Sequence, residues 1–194
     1  MNTENLHLLL KECGQKNTGW SAGNERILDS IVESFVPPND LKEWITVLAQ
    51  YPEMEEMPEI LPGWELCSFE RAMETYRVVK DMNAPESEFQ NYLKRMYGDE
   101  QNHIEKYWNN FLLLTDYSDG GCGIGSMNTD FGGMIIVHEI HETWRVGFQN
   151  IDKLVETALV CRKSGVWKSN DDIDWLLYAE IGKKLNPECE HWFP

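Results

Sequence analysis

The sequence predicts an α+β fold: one mainly antiparallel sheet, a meander, packed against several helices. Three observations predict it. Apolar residues recur at helical spacing over 27–48. Short apolar runs broken by glycine-rich turns occupy 111–148, and a helical pattern returns after Asn150. Helices first, a meander in the middle and helices last is an α+β order.

The elements follow in chain order. The region Leu8 to Glu12 predicts a short N-terminal helix, and Asn17 to Asn24 a loop. Asn24 caps the next helix, because its side-chain oxygen accepts an orphan backbone N–H. There Ile27, Leu28, Ile31, Val32 and Phe35 form one apolar face, and Pro37-Pro38 ends the helix. Asn39 caps a second helix with the stripe Leu41, Trp44, Ile45 and Leu48. Tyr51 to Gly63 holds three prolines and reads as irregular, since proline removes backbone donors. Trp64 to Cys67 is a short strand. Ser68 caps a third helix with Phe69, Ala72, Met73, Tyr76 and Val79 on one side. A fourth spans Pro85 to Tyr97, ended by Gly98.

The meander begins at Phe111 to Thr115. Ser118-Asp119-Gly120-Gly121 supplies the positive φ angles of a hairpin turn. Gly123 to Met127 returns, Asn128 to Gly133 turns again, and Met134 to Glu139 and Thr143 to Phe148 complete the set. Asn150 caps a helix burying Ile151, Leu154, Val155, Ala158 and Leu159. Asp171 or Asp172 opens a last helix carrying Ile173, Leu176, Leu177, Ile181 and Leu185. One domain accounts for residues 1–194, with a core over about 25–162 and a C-terminal extension over 163–194.

Thirty-three acidic residues face 17 Lys and Arg, a formal charge of −16. Such a surface repels nucleic acid and anionic lipid and speeds encounter with basic partners; it also serves plain solubility. The five cysteines are widely spaced, with no CxxC pair, which suits reduced thiols. With no signal-peptide pattern and no long apolar run, the predicted home is the cytoplasm, without membrane contact.

The candidate chemistry is thin. His138-Glu-Ile-His141-Glu142 has its histidines three apart, whereas a metalloprotease helix needs them four apart. On a strand the two would face opposite ways. No metal and no cofactor is expected. Gly121-Cys-Gly123-Ile-Gly125 and Gly132-Gly133 lack phosphate-loop spacing and stand among acids. Cys122 has no base beside it in sequence, though His103, His138 or His141 could reach it in space. Asp116, Asp119, Asp130, Glu139 and Glu142 read as solvated turn and edge acids, or as a place where a basic partner docks. Of the eight tryptophans, Trp44 belongs to the core, whereas Trp20, Trp64, Trp144 and Trp192 stand in or near loops or strand ends. Trp is enriched at binding hot spots.

Four stretches resemble the SUKH superfamily, which includes fungal cell-wall-synthesis regulators and bacterial immunity proteins. ILDSIVESFVPPNDLKEW (Ile27 to Trp44) is similar to its opening helix, proline-acid break and second helix. ILPGWELCSFERA (Ile60 to Ala72) resembles its short strand leading into a helix start. Leu112 to Gly123 resembles its strand ending in an Asp-Gly-Gly-Gly-type turn. Gly133 to Leu159 resembles its glycine-led strand, further strand and Phe-x-x-x-Leu helix. The sequence departs from the pattern at Gln50-Tyr51, where Asn-Gly is usual, and at Trp108-Asn-Asn-Phe-Leu, where a Trp-x-Pro lead is usual. Pro85 to Asn110 and the tail after Gly165 have no counterpart.

The resemblance implies a small α+β fold and a non-enzymatic role: binding and neutralising a cognate protein toxin, often a nuclease or deaminase. Many nuclease domains are basic because they hold phosphates, and an acidic inhibitor meets such a surface with fast, salt-sensitive association. The expected partner-binding residues are Glu53, Glu55, Glu56 and Glu59 on the proline-rich segment, Asp119 and Asp130 on the turns, and Trp64 and Trp144 as apolar anchors. The alternatives are a regulatory scaffold of the fungal type, and a small-ligand or hydrolytic protein using Cys122 or the histidines.

Overall fold

The computed structural model describes residues 2–17, 39–51, 58–67, 71, 72, 74, 111–117, 123–127, 135–138, 145–169 and 172–192. Among these, the α-helices are α1 (Thr3–Glu12), α2 (Asn39–Leu48), α3 (Ile151–Lys163) and α4 (Trp175–Leu185). A 3-10 turn covers Glu190–Trp192. The strands are β1 (Glu59–Leu61), β2 (Trp64–Leu66), β3 (Phe111–Tyr117), β4 (Gly123–Met127), β5 (Ile135–His138), β6 (Arg145–Phe148), β7 (Trp167–Ser169) and β8 (Asp172–Ile173). The fold is α+β. The helices expected over 25–35 and 85–97 lie outside the described residues. Of the helix expected after Ser68, Arg71, Ala72 and Glu74 are helical.

Strands β1 to β6 pair in sequence order, each neighbour antiparallel. This is the expected meander. The expectation of one sheet needs correction, because β7 and β8 form a separate two-stranded ribbon. The expectation of an irregular Tyr51 to Gly63 is corrected at Glu59–Leu61, which form a strand; residues 52–57 lie outside the described residues. Ile60 and Leu61 are apolar and fully buried, and their strand pairs with β2. Two devices let a proline-flanked segment do this. It is an edge strand, where a missing donor is tolerated. Its flanking Pro62-Gly63 also makes the hairpin, with Gly63 at the positive φ of 79° such a turn requires.

Each described helix carries its own start signal or apolar stripe. In α1, Asn2 accepts from the Glu4 N–H at 3.1 Å, and Leu6, Leu9 and Leu10 share one buried face. In α2, Trp44, Ile45, Val47 and Leu48 are buried. Helix α3 begins where expected: the Asn150 side chain accepts from the Lys153 N–H at 2.9 Å. Its Ile151, Leu154, Val155, Ala158 and Leu159 are all buried. Thr157 and Cys161 are buried too, so α3 is covered around much of its circumference. α1, α2 and α4 all pack against it, as do β1 and β6.

The last helix differs from expectation. Ile173 belongs to β8, and Asp174 is the cap, accepting from the Leu177 N–H at 3.0 Å. The buried positions are Tyr178, Ile181 and Gly182, whereas Leu176 faces outward. The chain then folds back. The buried Trp192 indole donates to the Gly147 carbonyl of β6 at 2.6 Å and meets Phe148 edge-on, centroids 5.6 Å apart. Its ring also lies against Gly182, where any Cβ would overlap it. Asn186 joins α4 to α3 by donating to the Thr157 hydroxyl at 3.0 Å.

Gly182→Ala must therefore displace Trp192 or shift α4. It is expected to cost about 1–3 kcal/mol, read as a lower denaturation midpoint at unchanged slope. A midpoint equal to the wild type would mean that the Trp192 ring does not hold this position.

Candidate functional site

Glu59 is the best-defined of the expected partner-binding residues. Its carboxylate accepts from the Gly63 N–H at 2.5 Å and from the Trp167 indole N–H at 2.8 Å. Its backbone carbonyl accepts from the Arg162 guanidinium. Arg162 also stacks on Trp167, 4.9 Å from its ring centroid. Glu59 thus ties β1 to the end of α3 and to the β7–β8 ribbon. With both oxygens engaged internally, the half-buried Glu59 carboxylate is a structural joint. Trp64, expected as an apolar anchor, is 4% exposed and part of the core. Glu53, Glu55, Glu56, Asp119, Asp130 and Trp144 lie outside the described residues, as do Cys122, His103 and His141.

The described cysteines form no disulfide, and three of them are shifted upward. Burial pushes Cys161 up to about 12, against a small opposing pull from a backbone hydrogen bond. Burial raises Cys13, with Arg162 pulling it down, and burial raises Cys189, with Glu188 adding to the effect. A protonated, buried thiol is a poor nucleophile. Among the described residues no three His, Cys, Asp or Glu side chains are grouped to hold a metal.

A cleft of about 340 Å³ lies between the ends of α1 and α2, lined by His7, Lys11, Gln15, Asn17 and Tyr51. Its polar groups serve one another. His7 Nδ1 and the Tyr51 hydroxyl are 2.9 Å apart, and Asn17 donates to Gln50 at 3.2 Å. Burial raises the Tyr51 hydroxyl, with Asn17 lowering it. Two helices end here, and Lys11 in the last turn of α1 offsets the carbonyl ends of its helix.

Sequence reasoning missed one surface. Trp175 and Leu176, the first residues of α4, are 54% and 81% exposed. They are the large apolar side chains left exposed among the described residues. Trp175 stands edge-on to Tyr178, centroids 6.0 Å apart, and Tyr178 edge-on to Trp192 at 5.1 Å. The rings form a ladder from Trp175 to the core residue Phe148. The signal was present in the chain. Tyr178, Ile181 and Leu185 define an inward stripe, and Leu176 lies about 200° around the helix from Tyr178 at about 100° per residue.

No family model, curated protein or solved structure matches the chain.

The thiols set an alkaline limit on stability. The folded state of Cys161 keeps its proton to a higher pH than the unfolded state, so its contribution is complete below about pH 9. It is lost as pH rises toward 12. Cys161→Ser should flatten the fall in melting temperature between pH 9 and 12 relative to wild type. Parallel curves would show that this thiol is not protected.

Proposed function

We propose that the chain is a non-enzymatic, cytoplasmic protein-binding domain of SUKH-like kind, an immunity protein that neutralises a basic toxin domain of the nuclease or deaminase type. The observation that carries this reading is the charge: 33 acidic against 17 basic residues, net −16. Glu12, Glu74, Asp172, Glu180 and Glu188 are exposed and available to the field around the molecule. Such a field raises the encounter rate with a cationic surface and rejects nucleic acid competitors. The α+β architecture, with consecutive antiparallel strands and helices before and after, is compatible with the resemblance. That Cys13, Cys67, Cys161 and Cys189 are not disulfide-bonded fits a reducing compartment. The docking acids in this reading are Glu53, Glu55 and Glu56 with Asp119 and Asp130, and Trp144 is an apolar anchor.

Affinity capture from native cytosol, with the neighbouring genes co-expressed, tests it. A stoichiometric basic protein should elute in a salt gradient and be identified by mass spectrometry. Repeated capture of ordinary host proteins would favour a regulatory scaffold, and an empty column would end the protein-binding reading. With the partner in hand, Glu55→Lys combined with Glu56→Lys should slow association about tenfold at low salt and less at high salt. An unchanged on-rate removes that segment from the interface.

A further inference from the structure

We infer that Trp175 and Leu176, at the start of α4, form a preorganised apolar anchor for a basic protein partner. The inference rests on the protein-binding reading above and locates a contact surface for it outside the residues named there. Three observations carry it. First, Trp175 and Leu176 are 54% and 81% exposed, while the rest of α4 turns Tyr178, Ile181 and Gly182 inward. Large apolar side chains left adjacent in water mark a contact surface when they are held in place.

Second, the helix start and the Trp175 ring are held. The cap at Asp174 fixes the first turn, and the ring ladder Trp175, Tyr178, Trp192 and Phe148 fixes the indole against the core. Asp174 also donates its backbone N–H to the Val166 carbonyl at 2.8 Å, which fastens the approach to the helix. A rigid anchor loses little side-chain entropy on docking, so more of its burial appears as affinity.

Third, the setting selects the occupant. Between Lys168 and Lys183 the sequence carries Asp171, Asp172, Asp174 and Glu180, with no basic residue. An apolar pair framed by acids fits a partner whose apolar pocket has a cationic rim. Anionic lipid is repelled by the same acids, and a second copy of the chain would bring like charge against like. The division of labour follows: acids govern the on-rate, and Trp175 with Leu176 govern how long the complex lasts.

The test uses the full chain and the basic partner obtained by co-expressing the neighbouring genes. A photo-crosslinking residue replaces Leu176, and the dissociation constant is measured for wild type, Leu176→Ala and Trp175→Ala. Leu176→Ala is the safeguard against misfolding, since that side chain contributes little to the core; its melting temperature should match wild type. The expected result is a crosslink to the basic partner and affinity lowered about 30-fold by each variant, mostly through faster dissociation. Binding within twofold of wild type in both variants overturns the inference while leaving the proposed function standing. A crosslink only to a second copy of the chain, or to lipid, also overturns it. Failure of wild type to bind any basic chain removes the proposed function itself, and the anchor with it.

Discussion

Helix α3 is the constraint on which the described structure depends. It starts at a well-made cap, Asn150 to the Lys153 N–H, and then buries Ile151, Leu154, Val155, Thr157, Ala158, Leu159 and Cys161. An ordinary surface helix buries one stripe. This one is covered from several directions, by α1 and α2, by α4, and by β1 and β6. The Asn2 backbone N–H reaches the Asp152 carboxylate at 2.6 Å, which fastens the start of α1 to the start of α3. Each fully buried aliphatic side chain is worth about 1.5–3 kcal/mol. Neighbouring helices that cannot bury their own faces alone therefore share their fate with α3.

The two ends of α3 organise what lies beyond it. At its C-terminal end Arg162 holds the Glu59 carbonyl and stacks on Trp167, so β1 and the β7–β8 ribbon converge there. From the ribbon the chain enters α4, and the return of Trp192 to the Gly147 carbonyl closes the C-terminal segment onto β6. Glycine at 182 is the condition for that closure, because the Trp192 ring occupies the space a side chain would take. The same aromatic stack that seals the core ends in an exposed indole. Packing and surface presentation are here two ends of one chain of contacts.

Much of this was legible in the sequence where local chemistry and burial agree. Asn150 announced α3, and the glycine-rich turns delimited β4, whose bounds Gly123–Met127 are those expected. Helix α2 follows its stripe. Legibility failed where tertiary context chose between equivalent local patterns. Two prolines around Ile60 and Leu61 looked incompatible with a strand, yet an edge position accepts them. Ile173 and Leu176 seemed to continue a helical stripe, but Asp174 starts the helix one residue after Ile173 and turns Leu176 to water. Glu59 looked like one more acid of an acidic segment. Only the fold brings the Trp167 indole and the Gly63 N–H to its oxygens. Of the expected contact residues, Trp64 is buried and Glu59 half-buried in a network of internal hydrogen bonds, and the exposed pair at the start of α4 took its meaning from three-dimensional phase.

The chain is an acidic α+β domain that exposes Trp175 and Leu176 at the start of one helix, and its proposed task is to silence a basic toxin domain. Inhibition is the most direct readout of that claim. The purified chain would be titrated into a catalytic assay of whatever basic protein the co-expression capture recovers. The account predicts that toxin activity falls linearly to near zero at one equivalent, and that high salt weakens the inhibition. Full toxin activity in the presence of a large excess of the chain would contradict it.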